Sequence, residues 1–210
     1  MLTAERMYAE RGVNGVSLRE IGAAAGQLNT GAARYHFGSK IGLINAVFEQ
    51  RMVPINALRC EMIDALIADG ETRSVRRLAE AFVHPLASAL GDRGNPTWYV
   101  RFAVTAGDCE GAAPTRAAQQ EWTSGFDHLQ HLMIDALTDL PAPLREQRWR
   151  LFNSFVAHSL ADREALLELP EPPNWFSREL FLSTVVDAAV ALITAPVSVA
   201  TALMLEGAHR

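Results

Sequence analysis

Six residues at positions 16–21, Val-Ser-Leu-Arg-Glu-Ile, constrain the fold of this chain more than any other segment. Ser17 is placed to accept a hydrogen bond from the amide three residues later, while Glu20 reaches back to the amide of Ser17. This reciprocal pattern is a capping box, and Val16 and Ile21 add a hydrophobic staple across the same helix start. The sequence therefore predicts a short helix that begins after Ser17 and ends at Gly26.

Two further short helices are predicted on either side of this one. Residues 2–11 have helical spacing, and Gly12 is well placed to end them in a left-handed conformation. After Gly26, either Asn29 or Thr30 is a candidate cap for a third helix that ends at Gly38. Two short helices joined by a tight glycine-containing turn form a helix-turn-helix, whose second helix enters the major groove of DNA.

The types of side chain near the start of the third helix suit base reading. Leu28, Asn29 and Thr30 lie there, and Arg34 follows one turn later. Asparagine bonds adenine with two hydrogen bonds, threonine offers a hydroxyl and a methyl group, and arginine reaches guanine or a phosphate. We therefore expect these four residues to contact DNA.

A second set of residues is predicted to contact phosphates and so to position the domain. The set comprises Ser17, Tyr35, His36 and Lys40, which follows the candidate helix cap Ser39, and Arg19 is a further candidate DNA contact. An alternative interpretation stays open for each residue taken singly, in which Tyr-His-Phe at 35–37 are core aromatics and Arg19 is a solvated charge. The ordered combination of capped helices and glycine turns favours the DNA-binding interpretation.

Charge is distributed unevenly along the chain. The formal net charge is −5, but residues 1–52 hold six lysines and arginines against four glutamates, so the remainder carries −7. A mildly basic head on an acidic body is typical of a protein that presents one face to nucleic acid.

The N-terminal segment resembles the TetR family of bacterial repressors. The resemblance is carried by Leu-Thr-Ala-Glu-Arg-Met-Tyr-Ala-Glu-Arg-Gly at 2–12, Val-Ser-Leu-Arg-Glu-Ile-Gly-Ala-Ala-Ala-Gly at 16–26 and Tyr-His-Phe-Gly-Ser-Lys at 35–40. It implies a homodimer on a palindromic double-stranded DNA operator, and a C-terminal domain that senses a small molecule. The sequence departs from the family pattern in three ways. The turn before Tyr35 is one residue longer, Arg34 stands where an aromatic residue is common, and an N-terminal arm is lacking.

The rest of the chain is predicted to be helical, which makes the fold all-α. Helical segments are expected at 39–69, 74–91, 97–109, 116–139, 144–168 and 176–195. Pro54 lies inside the first of them, where a proline removes a backbone hydrogen bond, so a kink or break is expected. We divide the chain into a helix-turn-helix domain at 1–46 and a helical ligand-binding and dimerisation domain at 47–210. Movement at Pro54 is one hypothesis for coupling the two, and a static bend is the other.

Aromatic residues on the middle helices are candidates for lining an apolar effector cavity. The candidates are Phe82, Trp98, Phe102, Trp122 and Phe126, with Arg101 to orient the ligand. Plain core packing is the alternative for each of them. The last two long helices carry wide apolar faces, including 151–160 and 181–192, which suit a four-helix dimer interface or packing within the chain.

No spacing typical of an enzyme is found. The histidines show no metalloprotease pattern, and we expect no catalytic residue, metal or cofactor. His128 and His131 share a helical face, but a surface pair is the simpler interpretation. The two cysteines are far apart, and neither a signal peptide nor a membrane span is evident, so a cytoplasmic location is expected. The alternative function is a helical small-molecule-binding or adaptor protein that does not bind DNA.

Overall fold

The computed structural model describes residues 1–26, 32–92, 95–106, 116–170 and 177–207. Within these ranges the chain forms ten helices, and the only β-type pairing is an isolated bridge between Asp92 and Asn95. The all-α prediction is confirmed. The helices are α1 Leu2–Arg11, α2 Leu18–Ala24, α3 Ala32–Phe37, α4 Lys40–Ala68, α5 Val75–Ala87, α6 Tyr99–Ala106, α7 Arg116–Ala136, α8 Ala142–Leu166, α9 Arg178–Thr194 and α10 Val199–Gly207.

The capping box that the sequence predicts begins α2. The Ser17 hydroxyl accepts from the Glu20 amide at 3.2 Å, and the Ser17 amide donates to the Glu20 carboxylate at 2.9 Å. Val16 and Ile21, the proposed staple, are both buried. Gly12 ends α1 with φ 72 and ψ 156. The positive φ agrees with the prediction, but this ψ lies outside the left-handed helical region and is open essentially to glycine alone.

The helix α4 is continuous through Pro54, so of the predicted kink or break the break is wrong, and the kink stays a prediction. The hydrogen bond that a proline removes is the one to the carbonyl of Gln50. Both Pro54 and Gln50 are exposed, and water is therefore available to the freed carbonyl. This long helix passes from the helix-turn-helix into the body, and the proposed boundary between residues 46 and 47 falls inside it.

Around α4 the other helices pack in a single buried core. Helices α5 and α7 lie against α4, α9 packs on α5 and α8, and α6 packs on α8 and α1. One continuous apolar cluster includes side chains from α1, α2 and α4 to α9. The N-terminal helices are therefore packed on the body rather than tethered to it.

Buried Glu164 fixes the position of α6. Its carboxylate, on α8, accepts hydrogen bonds from the amides of Val100 and Arg101 at 3.2 and 2.9 Å, and from the Thr97 hydroxyl at 3.0 Å. These two amides lie in the first turn of α6, where backbone N–H groups have no hydrogen-bond acceptor within their own helix. Burial raises the pKa of Glu164 above its usual range, against the lowering effect of these hydrogen bonds.

The short helix α10 was not predicted from the sequence. None of its residues is buried, and Val199, Leu203 and Met204 are between 63% and 79% exposed. Within the described ranges no single helix has the length and apolar composition to cross a membrane. Taken together, α9 and α10 reach that length and composition, but they are bent by 48° at the break between them.

Candidate nucleic-acid interface and effector region

The helix-turn-helix is formed by α2 and α3, supported by α1 and by the start of α4. Helix α2 packs on α1 and α3, and α3 packs on α4. The predicted base-reading residues Leu28, Asn29 and Thr30 lie outside the described residues, and so does the side chain of Arg34. Their roles stay predictions.

Two of the three consecutive aromatic residues on α3 face solvent. Tyr35 is 87% exposed and His36 is also exposed, with their rings edge to face at 5.4 Å. Phe37 is half-buried and packs against the core. The core interpretation therefore applies to Phe37 alone, and α3 presents two hydrogen-bonding aromatic side chains on its outer face.

Cations in this region divide into neutralised and free ones. Arg6 pairs with Glu10 at 3.1 Å, and Arg11 pairs with Glu20 at 2.7 Å. Arg51 makes two hydrogen bonds of 2.8 Å with buried Glu5, which raise the pKa of its guanidinium. By contrast, exposed Arg19 and half-buried Lys40 form no ion pair with any residue that the structure describes. Arg19 and Lys40 are therefore free cations in the described part of the chain, and both were predicted to contact DNA.

The backbone amide and the hydroxyl of Ser17 both already have a hydrogen-bond partner in Glu20. Its hydroxyl both accepts from the Glu20 amide and donates to the Glu20 carboxylate at 2.7 Å. Hydrogen bonds from Arg11 and then from Ser17 lower the pKa of Glu20 to about 2, so this carboxylate is charged at neutral pH. The structure gives Ser17 a capping role, and its phosphate contact stays a prediction.

A tight junction brings the end of α3 and the start of α4 together. Gly38 has φ +67, the Ser39 amide donates to the Phe37 carbonyl at 2.7 Å, and the Ser39 hydroxyl caps α4 by accepting from Gly42 at 3.0 Å. A Cβ on Gly42 would lie 2.0 Å from the Phe37 carbonyl oxygen. Gly42 is a positioning residue that sequence reasoning missed, although a glycine at the third residue of a capped helix is a readable signal.

The six predicted effector residues fall into separate groups. Phe82 and Phe126, with ring centroids 6.0 Å apart, share an aromatic cluster with Trp149 and Phe152. Phe102 and Trp122 instead surround Phe48, at 4.9 and 6.3 Å.

The other two predicted effector residues have partners within the chain. The Trp98 ring lies 6.0 Å from the Arg6 guanidinium. Arg101 is paired with Glu168 and, at 3.5 Å, with Glu164.

Two clefts are open on the described surface, and neither is lined by the predicted effector residues. One, of about 520 Å³, lies among the ends of α7 and α9 and the helix α10. The other, of about 390 Å³, lies between α5 and α9 and is lined by charged groups. The effector assignments stay predictions.

Histidine positions give no support to a metal site in the described part of the chain. No three histidine, cysteine, aspartate or glutamate side chains converge there. His128 and His131 are both exposed, and His131 lies 2.6 Å from the Asp127 carbonyl through its Nδ1. This contact fits the surface interpretation.

Residues 1–47 match the family model described as bacterial regulatory proteins, tetR family. The match covers α1 to α3, the junction and the start of α4, which is the region in which Arg19, Tyr35, His36 and Lys40 lie. No curated protein matches the chain significantly.

Proposed function

We propose that this chain, whose residues 1–47 match the family of bacterial regulatory proteins described as tetR, is a DNA-binding repressor that binds a palindromic operator as a homodimer. A small, largely apolar effector releases it. The observation that carries the proposal is that the residues matching the family form a capped helix-turn-helix with free cations and exposed aromatics on it. Because the partner is chromosomal DNA, the proposal includes the predicted cytoplasmic location.

The DNA-facing surface in this proposal combines α3 with the first turn of α4. Tyr35 and His36 donate hydrogen bonds to phosphates from the end of α3, and Lys40 adds a charge from the start of α4. Arg19 supplies a second charge from α2. These contacts place the domain on the backbone, while Asn29 and its neighbours read the bases. Arg6, Arg11 and Arg51 contribute little because carboxylates already neutralise them.

Selection of bound sequences from random double-stranded DNA tests the regulator function. We expect an enriched palindrome whose affinity falls steeply as salt is raised, because phosphate contacts release counterions. Lys40→Ala should reduce the slope of log affinity against log salt by about 2 for the dimer, or about 1 for each copy, and should do so on every sequence. Arg73→Ala, the same loss of charge at an exposed position in the body, should leave the slope unchanged. No enriched sequence and no salt dependence would favour the alternative of an adaptor without DNA binding.

Lys40 allows a second, residue-specific test because it is the only lysine in the sequence. Acetylation by an amine-reactive ester will modify this side chain and the N-terminal amine. We expect the selected operator to protect Lys40 and to leave the N-terminal amine as an internal reference. Equal modification of Lys40 with and without operator would contradict its placement on the DNA.

Base reading is tested separately from phosphate contact. Asn29→Ala should weaken binding to the selected operator by about 1–3 kcal/mol and relax the sequence preference at one position. Lys40→Ala should instead weaken all sequences by a similar factor. Uniform losses from both variants would contradict the proposed division of roles.

Homodimerisation is proposed to use the outer faces of α8 and α9. Part of each predicted interface face is used within the chain, since Phe152, Val156, Val185 and Ala189 are buried. Each helix nevertheless keeps an exposed stripe at helical spacing. On α8 and α9 the stripes contain Leu151, Ser154, His158, Leu180, Thr184, Ala188 and Ala191. Leu151 and Leu180 are 57% and 60% exposed, and a partner copy would bury them.

Mass measurement by light scattering tests this interface. Leu151→Glu and Leu180→Glu each place a charge in the stripes and should shift the protein toward monomer. Ile67→Glu, at an apolar position that is 49% exposed near the end of α4, is the matched control and should leave the mass unchanged. A dimer that survives both stripe substitutions would place the interface elsewhere.

Release by the effector is proposed to act through α4. Pro54 offers a bend point in this helix between the body and the DNA-facing end. If Pro54→Ala leaves both operator affinity and its response to effector unchanged, the bend at Pro54 has no part in the coupling.

A further inference from the structure

Arg59, on α4 in the middle of the body, carries a buried positive charge. The residue is only 2% exposed, and its Nε and Nη1 atoms have no hydrogen-bond partner. No residue that the structure describes forms an ion pair with it. Burial lowers its pKa to about 10, so the side chain remains charged at neutral pH.

The surroundings of Arg59 are aromatic. Its guanidinium carbon lies 5.6 Å from the ring centroid of Phe82 and 5.9 Å from that of Phe126. Trp149 and Phe152 belong to the same cluster, stacked at 5.5 Å. Cation–π contacts offset part of the lost hydration, but an aromatic face cannot replace hydrogen bonds to the N–H groups.

The buried carboxylates of the described chain are committed elsewhere. Glu5 is held by Arg51 at 2.8 Å, and Glu164 caps α6 and lies beside Arg101. Asn56, the buried polar side chain one turn before Arg59 on α4, is also occupied, because it accepts from the Gly125 amide at 2.9 Å and donates to the Ser124 hydroxyl at 3.2 Å. A buried charge without a counter-ion lowers the stability of the folded protein. A bound ligand that supplies a negative charge would remove this cost.

We propose that Arg59 is the anion anchor of the effector site, and that the effector is an apolar monocarboxylate. A carboxylate matches the two-pronged geometry of a guanidinium, and the aromatic cluster suits the apolar part of the molecule. The ligand is expected to carry a single negative charge, because one cation among aromatic rings compensates only one. A phosphate dianion would keep an uncompensated charge in this site. This assignment rests on the proposed effector-sensing role of the body.

The position of Arg59 also connects the site to the DNA-facing surface. Arg59 and Lys40 lie on the same continuous helix. Helix α7, which carries Phe126, lies close to α4. The Gly125 amide donates to Asn56 Oδ1, and a Cβ on Gly125 would lie only 2.8 Å from that oxygen. A ligand bound at Arg59 therefore contacts both α4 and its closest neighbour.

The first test needs no ligand. Arg59→Met removes the charge and keeps an unbranched apolar side chain of similar reach. If the charge is unpaired in the free protein, we expect the melting temperature to stay the same or rise. A fall of several degrees or more would show that the rest of the chain supplies a counter-ion, and would overturn the proposal. Arg73→Met, at an exposed position, controls for the change in net charge.

The second test uses matched pairs of probes, namely benzoate, phenylacetate and octanoate with their primary amides. Calorimetric titration of the wild type should show at least one acid bound about tenfold or more tightly than its amide, as expected for charge-assisted hydrogen bonds. Arg59→Met should lose this preference, and Arg73→Met should keep it. No preference for any of the three acids, or an unchanged preference in Arg59→Met, would overturn the proposal.

Operator binding then separates this site from the regulator function. We expect the preferred acid to weaken operator binding by the wild type and not by Arg59→Met. An acid that binds at Arg59 without changing operator affinity would support the anion site and contradict effector release. Absence of any operator binding would contradict the regulator function, while the calorimetric preference would still support the site.

Discussion

The pair between Glu5 and Arg51 gives the sharpest stability prediction, because it joins α1 to α4 through a nearly dry contact. The Glu5 side chain is 1% exposed and that of Arg51 is 24% exposed, and the two hydrogen bonds both measure 2.8 Å. Removal of one partner leaves the other buried without compensation, which costs about 3–5 kcal/mol in such pairs. Because water reaches part of Arg51, we expect Glu5→Gln to cost about 3 kcal/mol, the lower end of that range.

A double-mutant cycle isolates this interaction. Arg51→Met should also cost about 3 kcal/mol, and the double variant about the same as either single one, which gives a coupling of about 3 kcal/mol. Urea unfolding followed by tryptophan fluorescence measures these differences. With an m value of about 3 kcal/mol/M, each variant should lower the midpoint by about 1 M. Protein concentration is held fixed, since a dimer's stability depends on it.

The exposed pair between Arg6 and Glu10 is the matched control. These side chains are 58% and 42% exposed, and they lie one helical turn apart on α1. Glu10→Gln should therefore change the stability by no more than about 0.5 kcal/mol. If the costs of Glu5→Gln and Arg51→Met add in the double variant, the two side chains do not interact in solution, and the reasoning from their burial is refuted.

Three further predictions concern the helix-turn-helix. Gly42→Ala should weaken operator binding, because the new Cβ meets the Phe37 carbonyl oxygen at 2.0 Å, whereas Gly207→Ala, with nothing within 4 Å, should bind like the wild type in anisotropy titrations. Glu20→Gln should lower the melting temperature most at pH values above 4.5. The difference from the wild type should shrink as the pH falls toward 2, because protonation removes the charged form of Glu20 that stabilises the fold. A difference that stays constant with pH would contradict this. Tyr35→Phe should weaken operator binding without changing the urea midpoint, because the side chain is 87% exposed, and a lowered midpoint would give the hydroxyl a structural role.

Local signals in the sequence predicted the helix starts well. The capping box at Ser17 and Glu20, and the cap at Ser39, depend on atoms within four residues, so their geometry follows from sequence alone. Gly38 and Gly26 adopt the positive φ that ends a helix. For the same reason the all-α fold was readable, since amphipathic spacing and turn residues separate the helices along the chain.

Features that depend on what surrounds a residue were not readable. Pro54 leaves α4 unbroken, and Gln50, whose carbonyl loses its hydrogen bond, is exposed to water in the folded chain. Arg101 was predicted to orient a ligand, yet Glu164 on α8 and Glu168 just after it, both more than sixty residues away in sequence, lie beside it. Arg59 is one of 19 lysines and arginines in the sequence, and only the fold reveals that it is buried.

Because α4 is one continuous helix, a tilt at its end in the body also moves its DNA-facing end. From Arg59 to Lys40 the helix rises 1.5 Å per residue, which gives an arm of about 28 Å. A tilt of about 5° at the Arg59 end therefore displaces the Lys40 end by about 2.5 Å, nearly the full length of a hydrogen bond to a phosphate. In the proposed dimer two such arms would move in opposite directions, so the spacing between the two DNA-facing ends would change by up to twice that amount. A small rotation in the body would thus produce a change of several ångströms between the two DNA-facing ends.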